Sequence, residues 1–219
     1  MIAGEMEDTL EENTKRTTFL NLPKEKQDVI LNAAMRTFGE NGYKKTSVSD
    51  IASAAGISKS MVFHYFGSKK ELYLYLSDMC AQLILSAITE KFDADVTDFF
   101  ARIEQVSDIK IAVMKQYPAA LSFLTSAYFE TEAEVREEVA AILNQGGAVR
   151  NQIAFDGVDT AKFKDGIDVG LVMNMLVWMA EGFAKHITLD GKSDLDTLFN
   201  QYWDCMNLLK HNFYREEFL

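Results

Sequence analysis

The chain has 219 residues, 48% of them apolar, and a formal net charge of −11. That length suits one large domain or a small domain fused to a larger one, with ample material for a core. The charge argues against a generic binder of polyanions, and no apolar run reaches the roughly 18–20 residues of a membrane span, since the most apolar stretch, 169–184, is broken by Gly170, Asn174, Glu181 and Gly182.

Residues 1–20 form a mixed-charge polar run with few anchors, expected to be a disordered arm. They hold no apolar signal-peptide core, which points to a cytoplasmic protein. A helix is predicted from Pro23, a residue suited to a first helical position, with Ile30, Ala33, Ala34 and Phe38 as its apolar stripe and Asn41-Gly42 as its stop. Thr46-Ser47 offers a cap for a short helix over 48–55, which Gly56 breaks. Ser58 caps a second short helix to Phe66, and Ser68 with Glu71 forms a capping box for a long helix whose stripe is Leu72, Leu76, Met79 and Leu83. Further helices are predicted over 96–117, from Pro118 to Phe129, and from Thr131 or Glu132 to Asn144, with Gly146-Gly147 ending or loosening the last. The acidic run 130–138 reads as a solvated helix face. Asp156-Gly157 marks a loop, and two long helices over 159–187 and 193–214, turned at Asp190-Gly191, complete an all-α chain. Cys80 and Cys205 each sit in an apolar helical pattern and read as free, small buried residues.

Residues 47–66, SVSDIASAAGISKSMVFHYF, carry the function. Two short helices crossing steeply need a tiny residue at the crossing, which Ala52 supplies, and a turn residue accepting positive φ, which Gly56 supplies. Ile51, Ala55, Ile57 and Val62 complete a small core that fixes the angle. This is the spacing of a helix-turn-helix, whose second helix enters the major groove of DNA. Charge agrees. From Tyr43 to Lys70 five lysines face one acid, Asp50, a net of +4 against −15 for the rest of the chain. A basic head on an acidic body orients itself on a polyanion.

Residues 24–79 resemble the tetracycline-repressor (TetR) family of regulators. The resemblance rests on Ile30, Ala33, Ala34 and Phe38, then Gly42-Tyr43, Thr46-Ser47-Val48, Ile51-Ala52, Ala55-Gly56-Ile57-Ser58, Phe63-His64-Tyr65-Phe66 and Ser68-Lys69-Lys70-Glu71-Leu72. It implies an arm over 1–20, a DNA-binding head over 21–68, and a helical ligand-sensing and dimerisation body over 69–219. It also implies phosphate contacts from Thr46, Ser47, Tyr65 and Lys69, base readout by Lys59, Ser60 and His64, and a cap or phosphate contact from Ser58. Phe63 and Phe66 are expected in the core. The implied protein is a ligand-responsive regulator, a repressor on a pseudo-palindromic operator. It would bind as a homodimer through the helices over 159–187 and 193–214, and a small apolar or amphipathic effector would release it.

Within the body, aromatic and methionine residues suit an adaptable apolar pocket. Met114, Tyr117, Phe123, Tyr128, Met175, Trp178 and Glu181 are its candidate lining, and Glu181 and His186 could meet a polar or cationic ligand group. Two other functions remain open on the sequence. An enzyme is disfavoured, because His64, His186 and His211 are far apart and there is no phosphate-cradling glycine loop, metal-spaced cysteine pair or nucleophile elbow. No metal or cofactor is expected. A DNA-bound architectural or recruiting factor on the same fold, without an effector, would differ by lacking a ligand-sized cavity.

Overall fold

The computed structural model describes residues 17–190 and 195–219, and among these the regular elements are helices. In chain order they are α1 (Lys24–Lys45), α2 (Val48–Ala55), α3 (Lys59–Phe66), α4 (Lys69–Lys91), α5 (Phe99–Gln116), α6 (Pro118–Tyr128), α7 (Arg136–Phe155), α8 (Val169–Asp190) and α9 (Leu195–Phe213). The expected turn residue Gly191 and the expected helix start at Ser193 lie outside the described residues. By packing, the chain forms two units. The head unit takes residues up to 84 and 114–144, and the body unit takes 85–113 and 145–219, so α4, α5 and α7 each contribute to both.

In the head unit, α1 turns its predicted stripe inward: Ile30, Ala34 and Phe38 are fully buried. Helix α6 lies along α1 so closely that a side chain at Gly39 would meet the Ser122 hydroxyl at 2.4 Å and the Phe123 backbone nitrogen at 3.0 Å. Phe38, Tyr43, Tyr73 and Phe123 then pack ring on ring with centroids 4.8–6.3 Å apart, Tyr73 edge to face with the other three and Phe38 stacked parallel to Tyr43. Edge-to-face contact suits the ring quadrupoles and adds to the burial of large apolar surfaces. The chain leaves the helical conformation at Gly42, as Asn41-Gly42 predicts, but one more turn follows to Lys45. Residues 17–20 are helical rather than an arm: Phe19 is buried against Tyr65, Phe66 and Tyr75, the aromatic anchor that the polar composition hid.

Helix α4 is, by length and composition, apolar enough to cross a bilayer, against the sequence expectation. Its buried residues Leu72, Tyr73, Leu76 and Cys80 join the core of the head unit, so the apolarity serves packing. Cys80 and Cys205 are both free, and burial pushes the Cys80 thiol up to about 12.

The body unit gathers Phe99, Phe100, Phe163 and Tyr214 into an aromatic cluster with Leu176 and Met206. Arg102 is buried beside it and spends its guanidinium on backbone carbonyls of Ala94, Val96, Ile153 and Asp156. Two of these end α7, where unpaired carbonyls attract a cation. The end of the chain is stitched in by Lys164 N–H to the Phe213 carbonyl (2.8 Å) and Arg215 N–H to the Lys162 carbonyl (2.9 Å).

Several helix boundaries depart from expectation, among them the start of α7 at Arg136 rather than at 131 or 132. Helix α7 continues through Gly146-Gly147 to Phe155, because Ile153 and Ala154 beyond them are buried and repay glycine's cost of about 1 kcal/mol each. The helix expected from 159 begins only at Val169: Asp159 caps a short 3-10 turn (Thr160–Lys162), and Asp168 accepts the Leu171 N–H (3.1 Å) as the cap of α8.

Candidate nucleic-acid interface

The angle between α2 and α3 is set as the sequence requires. Ala52 is buried at the crossing, and Gly56 stands at φ 65° with its N–H returned to the carbonyls of Ala52 and Ser53. Ser47 and Asp50 close a reciprocal capping box at the start of α2. The Ser47 hydroxyl and N–H both donate to the Asp50 carboxylate (2.7 and 3.0 Å), and these bonds hold the Asp50 carboxyl below its usual range. Ser58 caps α3 by accepting the Met61 N–H (3.3 Å), and its hydroxyl meets that of Ser60 at 2.9 Å.

Helix α3 divides sharply. Val62, Tyr65 and Phe66 face the core, while Lys59, Ser60, Phe63 and His64 are exposed. The exposed set forms one face of cationic, hydroxyl, aromatic and imidazole groups, with the Lys59 ammonium 5.8 Å from the Phe63 ring centre. Lys44 and Lys45, at the end of α1, are exposed as well.

Two residues expected to touch phosphate spend their polar groups inside the protein, and a third has its ring there. Thr46 is 2% exposed, and its hydroxyl donates to the carbonyls of Thr37 (3.1 Å) and Gly42 (2.8 Å). The Tyr65 ring is core, packed on Phe19. Lys69 donates to the carbonyls of Tyr43 (3.0 Å) and Thr46 (3.3 Å), with its ammonium 4.0 Å from the centre of the Tyr43 ring. It tethers the start of α4 to the chain entering α2. Phe63, expected in the core, is instead 39% exposed. Helical spacing carried that signal: with Val62 inside, positions 65 and 66 follow it inward and 63 joins 59 and 60 outside.

The acidic run is not merely a solvated face. Glu130 accepts the Tyr43 N–H (3.1 Å) and lies 3.5 Å from the Tyr73 hydroxyl, Glu132 pairs with Lys44 (3.0 Å), and Glu138 pairs with Lys70 (2.7 Å). Burial, then the carboxylates of Glu134 and Glu130, push the Tyr43 phenol above its ordinary value. The segment joining α6 to α7 thus grips the end of α1 through backbone and charge.

The expected ligand lining is divided between the two units. Met114, Tyr117, Phe123 and Tyr128 belong to the head unit, where Phe123 is sealed in the core and Tyr117 and Tyr128 are exposed. Met175 and Glu181 are half-buried in the body unit, and Trp178 is 60% exposed. His186 is exposed too. The body unit instead has an open cleft of about 430 Å³ at the end of α7 and the start of α8, lined by Arg150, Asn151, Phe155, Leu171, Met173 and Asn174 among others.

Comparison with known proteins agrees with this geometry. Residues 30–76 match the family described as bacterial regulatory proteins, tetR family. The chain is 25% identical over 191 residues to the fatty acid metabolism regulator protein of Bacillus subtilis (strain 168), covering 84% of this chain and 94% of that protein. It is 33% identical over 95 residues to the HTH-type transcriptional regulator RutR of Escherichia coli (strain K12), covering 43% of this chain and 44% of that one. In three dimensions it resembles a TetR family transcriptional regulator from Chloroflexus aurantiacus (TM-score 0.72, 20% identity, 91% of this chain and 98% of that chain). It also resembles the transcriptional regulator FadR from Bacillus subtilis, solved in complex with stearoyl-CoA (TM-score 0.64, 20% identity, 82% and 96%). Residues 30–76 therefore match the tetR family of bacterial regulatory proteins, and the chain over most of its length has the fold of solved regulators of that family.

Proposed function

We propose that the chain is a ligand-responsive transcriptional regulator of the tetR family, a repressor that binds a pseudo-palindromic operator as a homodimer and is released by a small apolar or amphipathic effector. The exposed face of α3 carries the reading: Lys59, Ser60, Phe63 and His64 point away from a fully packed support, as a groove-reading helix requires. Lys59 and His64 supply donors for base edges, Ser60 a short hydroxyl, and Phe63 an apolar surface for a thymine methyl. Phosphate contacts fall to Lys44 and Lys45 and to the first turns of α2 and α3, where Ser47 and Ser58 sit.

Dimerisation is supported by apolar surface on the last two helices. Leu171 and Trp178 are 51% and 60% exposed two turns apart on α8, and Leu208 on α9 is 64% exposed. A second copy would cover this surface and set two α3 helices at a half-site spacing of about 34–36 Å. Light scattering on Trp178→Glu tests it: monomers that no longer bind operator are expected, and an intact dimer would move the interface elsewhere.

Effector release is supported by the complex of the Bacillus subtilis regulator FadR with stearoyl-CoA and by α4, which belongs to both units and follows directly on α3. The coupling is bounded by the effector's differential affinity for the two states, and a tenfold loss of operator binding needs about 1.4 kcal/mol. Operator fragments selected from random duplexes, titrated with and without a long-chain acyl thioester, test the whole reading. Release on titration is expected. Tighter binding with the thioester would make it a co-repressor, and no selected sequence at all would overturn the function.

A further inference from the structure

Lys44 meets a carboxylate from a distant part of the chain. It stands in the last turn of α1, just before Ser47 caps α2, and its ammonium lies 3.0 Å from the Glu132 carboxylate. The two partners are unlike. The Lys44 side chain is 76% exposed and reaches into solvent, whereas that of Glu132 is 32% exposed. The backbone of Glu132 is held on both sides. Its N–H donates to the Glu130 carboxylate (2.9 Å), and its carbonyl accepts the N–H groups of Val135 (3.1 Å) and Arg136 (3.0 Å). Val135 is sealed in the head core, and the same Glu130 accepts the N–H of Tyr43, the residue before Lys44 (3.1 Å). Exposed ion pairs are weak largely because two long side chains must be ordered together. Here one partner is already held in place, so less is lost on pairing. Lys45, the next residue, is the contrast: it is exposed, and its ammonium has no partner among the described residues.

We infer that Glu132 competes with DNA phosphate for Lys44. This role rests on the phosphate contacts assigned to Lys44 and Lys45 under the repressor reading. A lysine free in solvent neutralises a phosphate and releases a counter-ion from the duplex, which steepens the salt dependence by about 0.9. A lysine drawn away from a carboxylate leaves a negative charge behind, beside a polyanion, and that charge takes up a cation. Lys44 therefore adds less to affinity and to the salt slope than Lys45 does. Phosphates are alike in every sequence, so the loss falls on operator and random duplex together. On random duplex they supply nearly all of the affinity, and the competitor shortens the protein's stay there.

Fluorescence-anisotropy titrations of a selected operator and a random duplex, over a salt series, test it. The full chain is the parent, beside Glu132→Gln, Lys44→Met, their double variant and Lys45→Met. Glu132→Gln should bind both duplexes about two- to fivefold more tightly at low salt, the range an exposed ion pair supplies, and with a steeper salt slope. In the Lys44→Met background the same change should do nothing, because the ammonium it competes for is gone. Glutamine keeps the side chain's shape and leaves the backbone bonds of Glu132 in place, so the fold is not at stake. An equal gain in both backgrounds would make Glu132 a plain repeller of phosphate. No gain in either would mean that solvent dissolves the pair. Each result overturns the competition. If Lys44→Met costs nothing in either background while Lys45→Met weakens both duplexes, Lys44 does not reach phosphate and the competition falls, although the repressor reading stands. If the parent binds neither duplex, the repressor reading falls and the competition with it.

Discussion

The two units solve different packing problems. Among the described residues the head core joins twenty-five buried side chains, from Phe19 to Val139, whereas the body core joins eleven and is ringed by half-buried Val177, Met179, Phe183 and Trp203. The head closes its polar groups on its own side chains and backbone: Ser47 with Asp50, Thr46 with two carbonyls, Lys69 with two more. The body's most buried cation, Arg102, is closed by four backbone carbonyls. A DNA reader must hold one geometry, because displaced recognition residues lose their bases. A sensor must hold two, and looser packing keeps the alternatives close in energy.

The comparison breaks most visibly at Arg102. Arg102→Met should destabilise the body by at least about 3 kcal/mol, since buried carbonyls that lose their donor cost roughly 1–3 kcal/mol each. Denaturant unfolding followed by tryptophan fluorescence reports this, because Trp178 and Trp203 both lie in the body unit. A loss under about 1 kcal/mol would mean that the carbonyls are hydrated instead. At Lys69 the comparison sharpens. Lys69→Met should cost roughly 1–3 kcal/mol of stability through the Tyr43 and Thr46 carbonyls, yet leave the salt dependence of operator binding unchanged. A slope reduced by about one would return Lys69 to the phosphate contacts. Phe63→Ala should have a smaller effect, on DNA alone: about 1 kcal/mol on operators with a thymine under α3 and nothing on stability. Equal weakening on random duplex would remove Phe63 from base readout.

The head was legible in the sequence because its constraints are local. Ala52, Gly56 and the caps Ser47, Ser58 and Ser68 each act within four residues of where they stand, so the pattern 47–66 reads directly as geometry. The same locality hid the partners of Thr46 and Lys69. A polar tip near DNA looks available until a long-range partner claims it, and Lys69 reaches carbonyls 23 and 26 residues away. Glu130 binding the N–H of Tyr43, 87 positions earlier, is equally invisible to a periodicity argument. In the body the sequence offered only composition. Aromatic and methionine content cannot separate Phe123, sealed in the head core, from Phe183, half-buried beside Tyr202.

The smallest expected effect compares one ion pair from each unit. In the body, Asp98 meets Lys162 at 2.8 Å with side chains 16% and 23% exposed. Burial pushes the Asp98 carboxyl up, but the Lys162 bond, the Ala101 N–H and the charge of Lys210 outweigh it and hold the carboxyl below its usual range. A lowered carboxylate stabilises the fold above its unfolded pKa of about 3.9 and loses that contribution as pH falls through the folded value. Asp98→Asn keeps the oxygen that accepts the Ala101 N–H and removes only the charge. It should therefore cost about 1 kcal/mol or less at pH 7, and the gap to the parent should close below pH 4. In the head, Glu138 is likewise lowered by its hydrogen bond from Lys70, but both groups stand in solvent, so Glu138→Gln should leave stability unchanged at physiological salt. Acid titration of unfolding for both variants separates the cases. If the Asp98→Asn gap is as wide at pH 2.5 as at pH 7, the carboxyl acts through shape rather than charge. If Glu138→Gln proves the costlier change, solvent is not screening the head's pair.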